Sequence, residues 1–437
     1  MYAPDVVGGL FRVSSRGGAP EQLTEVDRTT AGSSHRFPHV LPGAGALVFM
    51  ISDGQQATVS ALDLRSRRRV DGLGTGHGPQ YLPSGHLAFV NRRGQLSLLP
   101  FDASNLRALG PAITLQETAE IGSTGEFRGA AASSGTLVFV PYAPRLRSFA
   151  AIDRDGKERP LAIEPRPSEY FRVSPDGQSM AVTLESGFGA LDIWLFNFGR
   201  NVWSRLTTDR QSFRPLWTPD GHDVLYESRR DGAPSVYRQP ANPGSAASLF
   251  LSAPGLASVT PSAWLADGGL LLMVGRGSID IVVHESARQS LRALVETSAN
   301  EAGAVVSADG HWAAYASDAS GRHEIHVTTI AEPRSTVQVS SSGGHGPIWA
   351  KTGNTLYFRR GNQILATTVS VERGILRSSR ERIVASGEFS PSVFHNGRFD
   401  VMPDGSLIVM KDEPGPTPEL RVLVNWASNA LRNAKQH

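Results

Sequence analysis

The stretch FRVSPDGQSMAVTL, Phe171–Leu184, decides the fold. A short β-rich run ends at a Pro-Asp-Gly turn, and a second apolar run follows it. Asp-Gly tolerates the left-handed backbone of a tight hairpin, so the stretch predicts two antiparallel strands. The unit recurs as RPLWTPDGHDVLYES from Arg214 and AVVSADGHWAAYAS from Ala304. Looser copies begin at Phe37 (FPHVLPGAGALVF), Gly78 (GPQYLPSGHLAFV), Gly129 (GAAASSGTLVFV), Ser262 (SAWLADGGLLLMV), Gly346 (GPIWAKTGNTLYF) and Arg398 (RFDVMPDGSLIVM).

The turn positions are Pro42, Pro83, Ser133, Pro175, Pro219, Ala266, Ala308, Thr352 and Pro403, at intervals of 41 to 51 residues. That is the length of a four-stranded propeller blade. The runs after the turns, such as MAVTL and DVLYES, are too short and β-rich for helices. The expectation is an all-β chain: a β-propeller over residues 1–437, with nine blade motifs. Residues 1–27 read as outer strands that close the ring by completing the last blade, whose late strand ELRVLVNW leaves it without an outermost partner. Closure of this kind removes free sheet edges. A smaller ring with extra blades beside it is the alternative count.

Composition agrees. The chain has 437 residues with 45 Gly and 28 Pro, and only 19% are charged, which suits many short strands and tight turns rather than a helical bundle. A net charge of +2 gives little drive toward nucleic acid or anionic membrane, and neither is expected as a partner. The basic residues are nearly all Arg; Lys occurs only at 157, 351, 411 and 435. With 0 Cys, disulfides, zinc–thiolate sites and thiol nucleophiles are excluded. No apolar run approaches 18 residues, so no transmembrane helix is expected. The start, MYAPDVVGGLFRV, lacks the basic and apolar regions of a signal peptide.

The string SPDGQSMAVTL…DIWLFNFGRNVWSRLTTD…RPLWTPDG resembles the TolB-like, WD40-like (PD40) propeller repeats. The wider set SSHRFPHVLPG, YLPSGHLAFV, LLPFD and ELRVLVNW is similar to propellers attached to bacterial serine/threonine kinases. The resemblance covers nearly the whole chain. It implies a propeller that serves as sensor, scaffold or enzyme, because one scaffold hosts all three. It also implies a periplasmic or extracytoplasmic location and a propeller portion that begins mid-blade. The kinase itself has no counterpart here: there is no Gly-rich loop with its Lys, no HRD and no DFG.

In a propeller the first strand of each blade lines the central channel, and the residues before it ring one mouth. Six residues before the turn stand Arg36, His77, Glu169 and Gly346, among others; seven before stand His35, Glu126, Glu301 and His345; His395 stands eight before Pro403. If the two ends of the chain close the ring, His345, His395, His35 and His77 follow one another around that mouth. Imidazoles converging from several loops suit a divalent transition metal, zinc first, with manganese or iron as alternatives. Such a metal lowers the pKa of bound water toward ~7 and yields hydroxide for attack on an ester, lactone or phosphoester. Glu126, Glu169 or Glu301 would be the base or a further ligand. Arg36 and Arg398 would hold an anionic group by bidentate contacts. His39 is a reserve ligand. This reading is a metal-dependent, phosphotriesterase-like hydrolase acting on a small-molecule substrate.

The plainer alternative is a non-catalytic sensory or protein-interaction propeller that binds a peptide or protein at the channel mouth. His86, His222 and His311 fall at hairpins. His323 and His326 are three apart in a β run and miss the i, i+4 helical spacing of a zincin. No G-x-S-x-G elbow or phosphate-binding loop occurs. Trp194, Trp203, Trp217, Trp264, Trp312, Trp349 and Trp426 fall mostly in strands, where packing between blades is their expected role.

Overall fold

Each Asp-Gly turn is built by side chains as well as by glycine. Ser174 Oγ donates to Asp176 at 2.6 Å and accepts from the amide of Ser179 at 3.0 Å, while Gly177 adopts φ +71°. Thr218, Asp220 and Gly221 repeat the device, as do Ser307, Asp309 and Gly310. The hydroxyl thus ties the end of one strand to the start of the next. The hydrogen bond from Ser174 and that from the Gln178 amide hold the Asp176 carboxyl below its usual pKa.

The computed structural model describes residues 1–4, 8–26, 34–52, 56–122, 125–132, 136–276, 278–288, 290–332, 334–372, 375–391, 398–415 and 419–424. Among them every regular element is a strand, and no helix is long and apolar enough to cross a membrane. The chain is an all-β propeller protein, and all nine motif starts fall on or directly before the first strand of a sheet. The strands divide between two compact units, one including Met1–Pro144 and the other Arg145–Ser186 with Ala190–Gly415.

The second unit holds six sheets. Blade 1 runs Ser168–Val173, Ser179–Glu185, Leu191–Asn197 and Val202–Arg205. Blade 2 begins at Ser212–Trp217, blade 3 at Ser258–Trp264, blade 4 at Glu301–Val306 and blade 5 at His345–Trp349. Blade 6 joins the two ends of the unit: Phe399–Val401 and Leu407–Asp412 pair onward to Arg147–Ile152 and Glu158–Pro160.

Apolar clusters then fill every gap between neighbouring blades. Ile193 and Leu195 meet Trp217 and Tyr226 between blades 1 and 2. The last gap, between blades 6 and 1, holds Phe149, Ile408 and Met410 against Phe171, Val182 and Phe196. The first strands touch in order and blade 6 reaches both blade 5 and blade 1, so the six sheets close a ring. The strands are buried on both faces, as Leu270–Gly275 is throughout; each large apolar side chain so buried contributes about 1.5–3 kcal/mol.

This corrects two expectations. The strands that complete the last blade are Arg147–Pro160, not residues 1–27; Phe11–Arg12 and Glu21–Gln22 pair only with each other as strands. A single ring of nine gives way to six blades in one unit. The first unit carries sheets that begin at Ser34–Val40, His77–Leu82 and Gly129–Ala131. Its third sheet is completed by Arg421–Leu423, so the ELRVLVNW strand serves the Gly129 copy rather than the Arg398 copy. The physical reason is register: Arg147–Ile152 offers a six-residue antiparallel match to Leu407–Asp412, with Phe149 and Ala151 facing one gap and Ala150 and Ile152 the other.

Tryptophan locks neighbouring blades. Trp217 Nε1 donates to the Arg172 carbonyl at 3.0 Å, and Trp264 Nε1 donates to the Trp217 carbonyl at 3.0 Å. Trp217→Ala is expected to cost ~3–5 kcal/mol in urea unfolding of the unit; a loss below about 0.5 kcal/mol, typical of a surface change, would contradict this packing role. The closure has its own test. Because the chain has 0 Cys, cysteines at the opposed positions Ala150 and Val409 should oxidise to a single disulfide, seen by peptide mass mapping. A persistently reduced pair in the folded double variant would contradict the pairing.

Candidate functional site

Six of the first strands have a local distortion just inside the predicted mouth. Five residues before the turn, the backbone turns left-handed at Phe37, Gly78, Arg214, Gly303 and Arg398, with φ between +53° and +68°. Gly346, at +52°, is the same position, which makes Lys351 rather than Thr352 the turn residue of that copy. The strand pairing slips here in each paired case, after Arg36, His77, Phe213, Ala302 and His345. Such bulges re-aim side chains. With the register corrected, His77 and His345 both stand six before their turns. His35 and Glu301 stand seven before, one residue earlier, so their side chains project to the other face of the strand.

Burial follows from that one-residue offset. His35 is 2% exposed and lies in the first unit's core, edge-on to Phe49 at 5.2 Å. Thr24 Oγ1 accepts the Leu10 amide at 2.8 Å and contacts His35 Nδ1 at 2.7 Å. Burial, reinforced by repulsion from Arg69, lowers the His35 pKa to about 4, while Asp71 opposes the shift. Glu301 is 1% exposed and belongs to the second unit. Its Oε1 accepts from Thr297 at 2.6 Å and Ser317 at 3.3 Å, yet burial still raises its pKa.

The remaining predicted residues are placed as follows. In the first unit, His77 is half-buried, and burial, then the Arg92 charge, lowers its pKa. Glu126 folds over Gly122, where a Cβ would fall 1.6 Å from Glu126 Oε1. Arg36 is half-buried, and burial lowers the His39 pKa. In the second unit, Glu169 is taken up by two ion pairs, to Arg147 at 2.6 Å and Arg398 at 3.1 Å. Arg147 also binds Asp412 at 2.9 Å, so Glu169 and Arg398 belong to an ionic tie across the ring closure. His345 lies against His323, ring centres 5.0 Å apart, beside its cross-strand partner Arg359. His395 lies outside the described residues.

The imidazole arc rested on closure through residues 1–27. With Arg147–Pro160 closing the ring instead, that argument no longer brings His35 and His77 beside His345. Among the described residues, no three His, Asp or Glu side chains gather as a metal would require.

The opposite mouth carries a site that the sequence reading passed over. Where the first strands end in their Asp-Gly turns, a cavity of about 280 Å³ lies on the axis of the second unit, and all six blades contribute to its wall. Trp217, Trp264 and Trp349 form aromatic sides; Arg172, Lys351 and Asp400 bring charge. Asp400 is committed to structure, since Oδ2 accepts the Val173 amide at 2.9 Å and Oδ1 the Val401 amide at 2.8 Å. Arg172 stacks on Tyr170, its guanidinium carbon 4.8 Å from the ring centre. The signal was present: Trp217, Trp264 and Trp349 each stand two residues before the turn position, so side chains of one type recur at one depth of the channel.

Fold and site define the class, a β-propeller with a binding-sized cavity on its axis. The TolB beta propeller domain family, PD40, matches residues 168–305, and the chain carries TolB-like, WD40-like repeats there. Similar solved structures include TolB from Agrobacterium tumefaciens, with 17% identity, TM-score 0.47, and 62% of this chain and 100% of that one covered. TolB from Acinetobacter baumannii shows 14% identity and TM-score 0.41, over 81% of this chain and 82% of that one. An oligogalacturonate lyase from Vibrio parahaemolyticus shows 14% identity and TM-score 0.34, over 76% and 99%.

The state of His35 gives a pH prediction. Its folded pKa, about 4, lies below the ordinary 6.5, so between these values the unfolded chain takes up a proton that the folded chain refuses. The stability it contributes is therefore complete above pH ~6.5 and falls as the pH drops toward ~4, by up to about 3 kcal/mol. His35→Gln should flatten this acid limb of first-unit stability, followed by urea unfolding at stepped pH. An unchanged slope would contradict the buried neutral imidazole.

Proposed function

We propose that this chain is a non-catalytic binding propeller that takes a peptide segment of a partner into the axial cavity of its second unit. The observation that carries the reading is the cavity wall itself: six first strands converge there, with three tryptophans and two cationic side chains around the opening. About 280 Å³ admits one large side chain or a chain end, not a folded domain. Aromatic walls with few polar groups are the usual build of a site that selects small groups by shape. The hydrolase reading loses one support, because His35 is consumed by packing in the first unit's core.

Selection of random peptides displayed on phage against the immobilised full chain tests this. Ala308→Trp and Ala350→Trp would plug the mouth from the turn side without entering the blade cores. Selected peptides are expected to lose at least tenfold in affinity for both plugged variants, read by calorimetry on variants of unchanged melting temperature. Peptides that bind plugged and native protein equally would overturn the proposal.

A further inference from the structure

The polar groups around the axial cavity are unequally satisfied, and the imbalance specifies what the cavity selects. Asp400, the acidic side chain in its wall, has each carboxylate oxygen occupied by a backbone amide. The indole N–H groups of Trp217 and Trp264 are spent on carbonyls of neighbouring blades. Donors remain. The Nη1 of Arg172 is buried without a hydrogen-bond partner. Trp349 Nε1 is likewise without a partner, and Lys351 is exposed at the rim.

A buried donor left unmade costs about 1–3 kcal/mol, more when charged. The guanidinium is held by Tyr170 through its ring and a side-chain hydrogen bond, and with Nη1 still unpartnered it is poised for an anion brought from outside. Its position is set from below: Tyr170, two residues earlier on the same strand, faces the same side and carries the guanidinium plane. The cavity therefore offers flat apolar walls, unspent donors and a local excess of positive charge.

We infer that the anchoring group recognised in the axial cavity is a carboxylate, held by Arg172 with Lys351 at the rim, while the attached apolar portion packs on Trp264 and Trp349. The inference rests on the binding reading above and adds the chemistry of the ligand to it. A carboxylate reaches such a site from a peptide in two ways, as an Asp or Glu side chain or as a free C-terminus.

Three N-acetylated tripeptides separate these sources in calorimetric titration of the full chain. The first contains Trp and Asp with an amidated end, the second Trp and Asn with a free C-terminus, and the third Trp and Asn with an amidated end. At least one carboxylate probe should bind tenfold or more tightly than the neutral peptide. Arg172→Gln should abolish that preference, Arg172→Lys should keep part of it, and Lys351→Ala should reduce it by a smaller factor. One molar salt should weaken the preferred probe and leave the neutral one nearly unchanged.

Equal affinity for all three peptides would overturn the inference. So would a preference that survives Arg172→Gln, or no binding by any probe. The underlying reading fails separately, because a neutral peptide whose binding is lost on Ala308→Trp would uphold the cavity as a site while removing the carboxylate.

Discussion

The antiparallel match between Arg147–Ile152 and Leu407–Asp412 holds the second unit together. It joins the first residues of the unit to nearly the last, so its six opposed positions are reached only by closing a loop of about 250 residues. Packing supplies the return. Phe149, Phe399 and Met410 are at most 1% exposed, and the pairing puts apolar side chains into both flanking gaps. The ionic tie of Arg147 to Asp412 and Glu169 reinforces the same seam. Only with this blade in place do six first strands face one axis, and only then does the cavity have a complete wall.

Repeats and turns were legible in the sequence because both are local. A Ser/Thr-x-Asp-Gly turn needs residues within a few positions of each other, and the strands follow from the alternation on either side. Closure was not legible. It depends on which of two β-rich segments, GGLFRV or RSFAAI, meets the strand LIVMKD, and the apolar pattern suits either. The competition is decided by three-dimensional packing, where Phe149 and Ile152 fill the gaps on either side of the closing blade.

The candidate site residues separate for a related reason. A histidine one residue out of step looks equivalent on an alignment, yet strand periodicity sends it to the opposite face. His35 and Glu301 became buried side chains in this way, whereas His77 and His345 remained half-exposed at the bulge. The histidine and glutamate candidates mark one end of the first strands. At the other end the informative pattern was aromatic, Trp217, Trp264 and Trp349 at one depth, with Arg172 beside them. A tryptophan here both packs between blades and lines the axial cavity, and sequence alone assigns it only the first place.

The ring of the second unit is closed by its own strands, Arg147–Ile152 against Leu407–Asp412. Hydrogen exchange of the amides in Leu407–Asp412 and Arg147–Ile152, compared between the full chain and a chain lacking residues 1–27, reads this directly. Equal, strong protection in both proteins is the predicted result. Loss of protection in Leu407–Asp412 on removing residues 1–27 would contradict the account, because it would mean that those residues, and not Arg147–Pro160, complete the last blade.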